Sequence, residues 1–130
     1  METRRGTVYL FKTDEALDFL IKHTHSRDEV FVYPYYSMYY FLANLQNPSR
    51  YTVLVYGFNT NEQFAETIDS LKKKKVKYIL WDLTINNDNF AKWFPNYHKS
   101  PGNNLLLEQY LKDNYIVLGI ENDFKILQLR

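Results

Sequence analysis

A cluster of aromatic hydroxyls and one arginine lies between Val30 and Tyr51, where the chain reads VFVYPYYSMYYFLANLQNPSRY. An apolar run in this segment ends at Pro34, and tyrosines follow it at once. In open α/β sheets, ligands bind beyond the carboxyl ends of the strands, so these side chains would stand where a ligand is expected. Aromatic rings can stack on a sugar, and arginine can pair with a phosphate group. The candidate ligand-binding residues are Tyr35, Tyr36, Tyr39, Arg50 and Asp82.

The tyrosines of this segment also suit an ordinary hydrophobic core. The rings of three tyrosines could be buried while their hydroxyl groups bond to the protein or to water. They are Tyr33, Tyr40 and Tyr51. Tyrosine is intermediate in its tendency to be buried, so residue type alone does not separate the two interpretations. Both of them stay open for the segment.

Asp82 directly follows the apolar run KYILW and is the best placed carboxylate for a functional role. The alternative interpretation is structural, because an aspartate at this point often accepts hydrogen bonds from the amides of the next loop. A small hydrolase built on Asp82 would need a second carboxylate or a histidine as its partner, and no residue has an obvious partnering position. We therefore assign no catalytic residue.

The sequence predicts neither a metal site nor a cofactor. It contains no cysteine, which excludes thiolate zinc sites and cysteine nucleophiles. His23 and His25 are two residues apart, so their side chains would diverge on a helix. With four glycines in the chain, there is no glycine-rich phosphate loop and no Gly-x-Ser-x-Gly elbow.

Charge gives little direction to the search for partners. The chain has 16 Lys and Arg against 15 Asp and Glu, a net charge of +1, so no nucleic-acid partner is predicted. The four lysines of residues 72–75 could grip phosphate or anionic headgroups. A solvated helix end, where cations complement the helix dipole, explains the same run.

Length and composition predict one folded domain. The 130 residues are 45% hydrophobic and 18% aromatic, enough to bury a core. No apolar run approaches the ~20 residues of a membrane span. The N-terminal METRRGTVYLFK has no apolar stretch of the signal-peptide type, and we expect it to mark a domain boundary.

The apolar pattern predicts strands and helices in alternation. The predicted strands are residues 7–12, 29–33, 51–56, 77–82, 115–120 and 124–129. One predicted helix follows a cap at Thr13, a second spans residues 37–45, a third follows Thr60, and a fourth spans residues 104–114. Residues 86–99 are predicted to form a lid-like loop with one helical turn at residues 90–94.

Two local signals support the helices. Thr60 and Gln63 have the spacing of a capping box, in which each side chain bonds the other's backbone amide. In the helix of residues 37–45, the apolar side chains at helical spacing predict the buried face. They are Met38, Phe41, Leu42 and Leu45.

These elements predict an α/β layered domain spanning residues 1–130. Its sheet is expected to be mostly parallel but mixed, with helices on both faces and a C-terminal antiparallel hairpin. No interdomain linker interrupts the pattern.

The order of several segments resembles a known family. Residues 30–36 read VFVYPYY, residues 40–42 read YFL, and residues 47–51 read NPSRY. The segments KVKYILWD, YLKDNY and FKIL follow in order after a Thr-x-x-Gln helix. From Gly6 onward the chain resembles the C-terminal soluble domains of membrane glycosyltransferases of the dolichyl-phosphate-mannose protein mannosyltransferase-like kind, glycosyltransferase family 39.

The resemblance implies a non-catalytic accessory domain on the extracytoplasmic side of a membrane, periplasmic or extracellular. In that family the catalytic residues lie in the transmembrane part, and the sugar donor is a polyprenyl-phosphate sugar. The implied partner is the transmembrane domain of the same polypeptide, with lipid-linked sugar or acceptor as further partners. The alternative hypothesis is a free-standing α/β module that binds a small phosphorylated or sugar ligand at the strand ends.

Overall fold

A computed structural model of the chain describes residues 1–35, 37–55, 57–95 and 104–130. Within these ranges the helices are α1 (Glu15–His23), α2 (Ser37–Leu42), α3 (Asn61–Lys74), α4 (Asn87–Trp93) and α5 (Asn104–Asn114). The strands are β1 (Glu2–Thr3), β2 (Gly6–Thr7), β3 (Phe31–Tyr33), β4 (Tyr78–Asp82), β5 (Tyr115–Glu121) and β6 (Phe124–Leu129).

A four-stranded mixed sheet in the order β3-β4-β6-β5 organises the domain. Strands β3 and β4 run parallel, with Val32 opposite Leu80. Strand β6 is antiparallel to both β4 and β5. Strands β1 and β2 form a separate two-stranded hairpin. The predicted α/β class, with its mixed sheet and C-terminal antiparallel hairpin, is confirmed. One of the three strand pairs of this sheet, β3–β4, is parallel and the other two are antiparallel, where a mostly parallel sheet was expected.

The sheet separates two hydrophobic cores because successive side chains of a strand point to opposite faces. Ile79 and Trp81 of β4 pack in the core that α3 and α5 cover. Tyr78 and Leu80 pack in the core that α1 and α2 cover. The helices therefore lie on both faces, as predicted, and all five residues of β4 are buried.

Asp14, and not the predicted Thr13, caps helix α1. Its Oδ1 accepts a hydrogen bond of 3.0 Å from the amide of Leu17. Its carboxylate also accepts from the Tyr39 hydroxyl at 2.8 and 2.9 Å and from the Asn122 side chain at 3.0 Å. Both Thr and Asp are good caps, so sequence alone did not separate them. Asp14 thus ties together α1, α2 and the β5–β6 turn.

The predicted buried face of the second helix is right for Leu42 and Leu45, which pack in or against the core, and wrong for Met38 and Phe41. Met38 and Phe41 are 54% and 59% exposed, whereas Tyr39 and Ala43 are buried. The hydroxyl of Tyr39 reaches Asp14, so a ring with a polar end occupies the core position that spacing had given to Met38 and Phe41. The helix also ends at Leu42, three residues before the predicted end.

Two predicted strands do not form as expected. In the first, of residues 7–12, only Thr7 is in a strand, and Tyr9 is 93% exposed. In the other, residues 51–55 form no strand, and Tyr56 lies outside the described residues. Leu54 and Val55 are nevertheless buried, and the Leu54 amide donates to the carbonyl of Pro34 at 3.0 Å. The apolar residues of this segment are therefore explained by their burial next to the end of β3, because the segment does not pair with a strand of the sheet.

Several local predictions are confirmed. The capping box of α3 has both of its hydrogen bonds, between Thr60 and Gln63. Helix α5 has the predicted bounds, and the β5–β6 turn places Asn122 and Asp123 at φ of 50° and 65°, as a two-residue hairpin requires. The predicted lid-like loop contains the helix α4, which is longer than one turn, and its residues 96–99 lie outside the described residues.

Strand β5 forms one edge of the sheet and carries an apolar surface. It has a bulge at Leu118, where the register with β6 shifts. Four of its aliphatic side chains are 41–57% exposed. They are Ile116, Val117, Leu118 and Ile120.

Replacing Asp14 with Ala should lower the free energy of unfolding by about 2–4 kcal/mol, because both the helix cap and the hydrogen bonds from Tyr39 and Asn122 are lost. Urea denaturation of the purified domain measures the change. Thr13→Ala is the matched control, since Thr13 is exposed and does not cap the helix, and it should cost less than about 0.5 kcal/mol. Equal losses in the two variants would contradict the assignment of the cap.

Candidate functional site

An open cleft of about 520 Å³ lies where strands β3 and β4 end. Its walls come from the residues after β3, from the segment before α3, and from the region of α4. We call it the aromatic cleft, after the rings that dominate its lining. These are Tyr35, Phe58, Phe90, Trp93 and Phe94, joined by Val53, Val55, Asn59 and Ile85.

Helix α4 positions three of the rings. Asn86 caps it by accepting a hydrogen bond of 3.0 Å from the amide of Asn89. The Asn89 side chain donates to the carbonyl of Thr84 at 2.6 Å and so ties the helix to the end of β4. Phe90 and Phe94 then lie one turn apart, with ring centroids separated by 5.2 Å.

Phe58 completes the ring cluster from the other side of the cleft. Its centroid lies 5.9 Å from that of Phe90 and 6.1 Å from that of Phe94, both in edge-on arrangements. Phe58 remains 62% exposed and Trp93 53% exposed. Exposed aromatic side chains gathered in one place mark a surface for interaction.

The aromatic cleft offers contact surface and few polar groups. Asn59 uses its side-chain oxygen to accept from the amide of Val55 at 2.9 Å, and its amide donates to Gln63 at 3.2 Å. The hydroxyl of Tyr35 and the indole N–H of Trp93 are the other side-chain polar groups of the lining. The arrangement suits an apolar or ring-bearing partner and supplies no acid–base pair.

Of the four candidate residues that the structure describes, only Tyr35 lines the aromatic cleft. Tyr36 lies outside the described residues. Tyr39 is 2% exposed and packs on the α1 and α2 side of the sheet, bonded to Asp14. Arg50 and Asp82 make other contacts and do not line the cleft.

Arg50 is engaged by helix α3. Its Nε lies 2.9 Å from the Glu66 carboxylate, and a second guanidinium nitrogen donates to Glu66 at 3.1 Å. The Tyr51 hydroxyl also donates to Glu66. These hydrogen bonds, that of Tyr51 above all, lower the pKa of Glu66 from its ordinary value of 4.5. The group is a surface ion-pair network that fastens the loop before Tyr51 to α3.

Asp82 is 7% exposed and accepts hydrogen bonds from the amide and the hydroxyl of Thr84, at 2.9 and 2.7 Å. These contacts match the structural interpretation, in which Asp82 caps the loop that follows β4. The carboxylate therefore helps to set the backbone course from β4 into α4.

The core interpretation also describes two of the other tyrosines. Tyr33 is buried, and its hydroxyl donates to Glu108 at 3.0 Å. The hydroxyl of Tyr40 accepts from the amide of Val32 at 2.8 Å, and burial raises the pKa of Tyr40.

Histidines and the lysine run show structural contacts. The ring of His23 stacks on Phe19 with centroids 4.2 Å apart, and His25 lies 3.7 Å from Asp28. Lys74 pairs with Glu29 at 3.1 Å and donates to the carbonyl of Pro48. Among the residues that the structure describes, no three His, Asp or Glu side chains are grouped to hold a metal ion.

Sequence reasoning missed Phe58, Trp93 and Phe94 because it searched for polar groups at the strand ends. The available signal was the aromatic content of the predicted lid-like loop, where residues 90–94 read FAKWF. A loop with three rings in five residues has more apolar surface than one helical turn can bury by itself.

Replacing Glu66 with Gln should destabilise the domain above about pH 5 and have less effect as the pH falls. Glu66 has a lowered pKa in the folded state, so its ionised form stabilises the fold. This contribution is complete above the unfolded pKa, and it is lost as the pH falls through the folded pKa. Urea unfolding of both proteins at a series of pH values measures the difference.

The control for this experiment is Asp69→Asn, an exposed change on the same helix that should alter the unfolding free energy by less than about 0.5 kcal/mol. A Glu66→Gln effect that grows on acidification would refute the ion-pair assignment.

None of the helices in the described ranges is both long enough and apolar enough to cross a membrane. No protein-family model matches the sequence, and no curated protein matches it. Among solved structures, the chain is similar to the C-terminal globular domain of an oligosaccharyltransferase from Archaeoglobus fulgidus. The TM-score is 0.49 and the identity 13%, over 95% of this chain and 100% of that domain. A likeness at this level carries no functional conclusion for the chain.

Proposed function

We propose that the chain is a non-catalytic, extracytoplasmic accessory domain of a membrane glycosyltransferase that uses a polyprenyl-phosphate-linked sugar donor. One observation carries the proposal. Two of the segments that give the resemblance to glycosyltransferase family 39, VFVYPYY and NPSRY, lead directly to residues that line the aromatic cleft. Tyr35 follows VFVYP on one wall, and Val53 and Val55 follow NPSRY on another.

The NPSRY block is built as a rigid corner. Asn47 accepts from the amide of Ser49 at 2.9 Å and donates to the carbonyl of Tyr51 at 2.9 Å. The buried hydroxyl of Ser49 lies 3.2 Å from that of Thr67 on α3. All of these contacts are internal, so the block serves to position the backbone that leads to Val53 and Val55. This is what an accessory domain with a fixed docking surface needs.

The aromatic cleft supplies that docking surface in the proposal. Phe58, Trp93 and Phe94 are 48–62% exposed, and covering them would gain about 25 cal/mol for each Å² of apolar surface removed from water. The partner is the transmembrane part of the same polypeptide, and aromatic side chains are enriched where a protein meets the membrane interface. Lipid-linked sugar or acceptor would reach the enzyme beside this surface.

The alternative function is a free-standing module for a small phosphorylated or sugar ligand at the strand ends. Tyr35 favours it by position, since it lies at the exit of β3. Tyr39, Arg50 and Asp82 weigh against it, because their polar groups bond Asp14, Glu66 and Thr84 in place of a ligand.

Photo-cross-linking tests the proposed docking in the source cell. Benzoylphenylalanine in place of Phe58, in the epitope-tagged native protein, should cross-link to a multi-span glycosyltransferase segment, because the ring stands at the rim of the aromatic cleft. Mass spectrometry identifies the joined peptides. Benzoylphenylalanine in place of Phe11 is the control, since Phe11 is fully exposed and does not line the cleft.

The proposal is wrong if the tagged protein is recovered in the cytosolic fraction and no cross-linked peptide comes from a multi-span membrane protein. A thermal-shift screen with sugar phosphates and nucleotides then examines the alternative. Stabilisation that disappears in Tyr35→Ala would favour a small-ligand module at the strand ends.

A further inference from the structure

A second pocket, of about 240 Å³, lies between helix α5 and strands β5 and β6. It is on the face of the sheet that α3 and α5 cover, and helix α1 lies on the other face. Three cationic residues line it, and Trp81 of β4 contributes to its wall. The rest of the lining is Tyr115 and aliphatic side chains. We call it the basic pocket, after Lys112, Lys125 and Arg130.

Two of the three cations lie against the ring of Trp81. The ammonium groups of Lys112 and Lys125 lie 6.0 and 5.0 Å from the centroid of the Trp81 ring. None of the three side chains forms an ion pair within the described ranges, and no Asp or Glu is among the lining residues. Glu108, one turn before Lys112 on α5, accepts the hydroxyl of Tyr33. Like charges gathered beside apolar walls repel one another, and an anion would relieve that cost.

Trp81 adds a second, independent observation. Trp81 is 8% exposed and lines the pocket, and no hydrogen bond joins its indole N–H to another of the described residues. An indole N–H donates one hydrogen bond and accepts none, so a ligand in the pocket that carries acceptor atoms would complement it.

The free polar groups of the basic pocket are all donors. Lysine, arginine and the indole N–H have no acceptor atom. The one hydroxyl in the lining, that of Tyr115, donates to the carbonyl of Val76 at 2.7 Å. A ligand with several acceptor atoms therefore complements the pocket best, which is the property of an oxyanion.

We propose that the basic pocket binds a phosphate group, as a free phosphate or a phosphate monoester. Three cations suit a dianion better than a monovalent carboxylate, and lysine and arginine are the usual phosphate-binding side chains. The volume of 240 Å³ equals that of about eight water molecules in the liquid, so it leaves room for a group esterified to the phosphate. This proposal is independent of the proposed membrane docking, which uses the aromatic cleft on other elements.

The indole N–H resonance of Trp81 reports directly on this site. The chain has two tryptophans, so a ¹⁵N-labelled protein gives two indole signals, and Trp93→Phe identifies which belongs to Trp81. Inorganic phosphate at low ionic strength should shift the Trp81 signal in a saturable way, because the N–H gains an acceptor. Acetate at equal concentration should shift it much less.

Charge-matched double variants test which cations bind. Lys112→Gln with Lys125→Gln should weaken phosphate binding at least about tenfold, since two charge-assisted hydrogen bonds are lost. Lys73→Gln with Lys92→Gln changes the net charge equally at exposed positions outside the pocket and should weaken it less than about twofold. If the first double variant does not fold, Arg130→Gln alone serves, with a smaller loss expected.

Two further ligands distinguish the source of the phosphate. Glucose 1-phosphate represents a soluble ester, and vesicles that contain phosphatidic acid represent a lipid headgroup. Either ligand supports the site if it competes with inorganic phosphate. Competition by glucose 1-phosphate indicates a soluble phosphate ester, and competition by the vesicles indicates a lipid headgroup. The proposal is overturned if phosphate gives no saturable shift, if acetate binds equally well, or if both double variants bind as the unaltered protein does.

Discussion

The fold depends on the burial of strand β4 on both of its faces. Its four apolar side chains, those of residues 78–81, enter two different cores, and its backbone pairs with β3 on one side and β6 on the other. At about 1.5–3 kcal/mol for each large side chain, their burial is comparable with the whole net stability of an ordinary domain. Helices α3 and α5 pack on the face of β4 that carries Ile79 and Trp81, and α1 and α2 pack on the face that carries Tyr78 and Leu80.

The same constraint gives the two candidate sites their different chemistry. The aromatic cleft lies beyond the end of β4, where the chain has left the sheet and α4 returns with its rings over the opening. The basic pocket lies on the flank of β4, where Trp81 is nearly covered by α5 and the hairpin. One site is therefore an apolar surface open to a large partner, and the other is a small donor-lined recess.

Local signals in the sequence predicted the elements whose stabilising contacts lie within a few residues. The capping box of Thr60 and Gln63 and the C-terminal hairpin with its tight turn are of this kind. The burial of Tyr39 in place of Met38 was not predictable in the same way, because its cause is a hydrogen bond to Asp14, twenty-five residues earlier. Arg50 likewise meets Glu66 of another helix, so its position at a strand exit in the sequence did not reveal its partner.

Strand β5 has a consequence for how the domain behaves in solution. Between Tyr115 and Glu121 its outer edge bears no charged residue, and its bulge at Leu118 is the one feature that interrupts a flat edge. The chain as a whole has a net charge of +1, so electrostatic repulsion between molecules is weak at neutral pH. The bulge therefore helps to keep the isolated domain from pairing edge to edge, and a neighbour that covers this edge would keep it in solution.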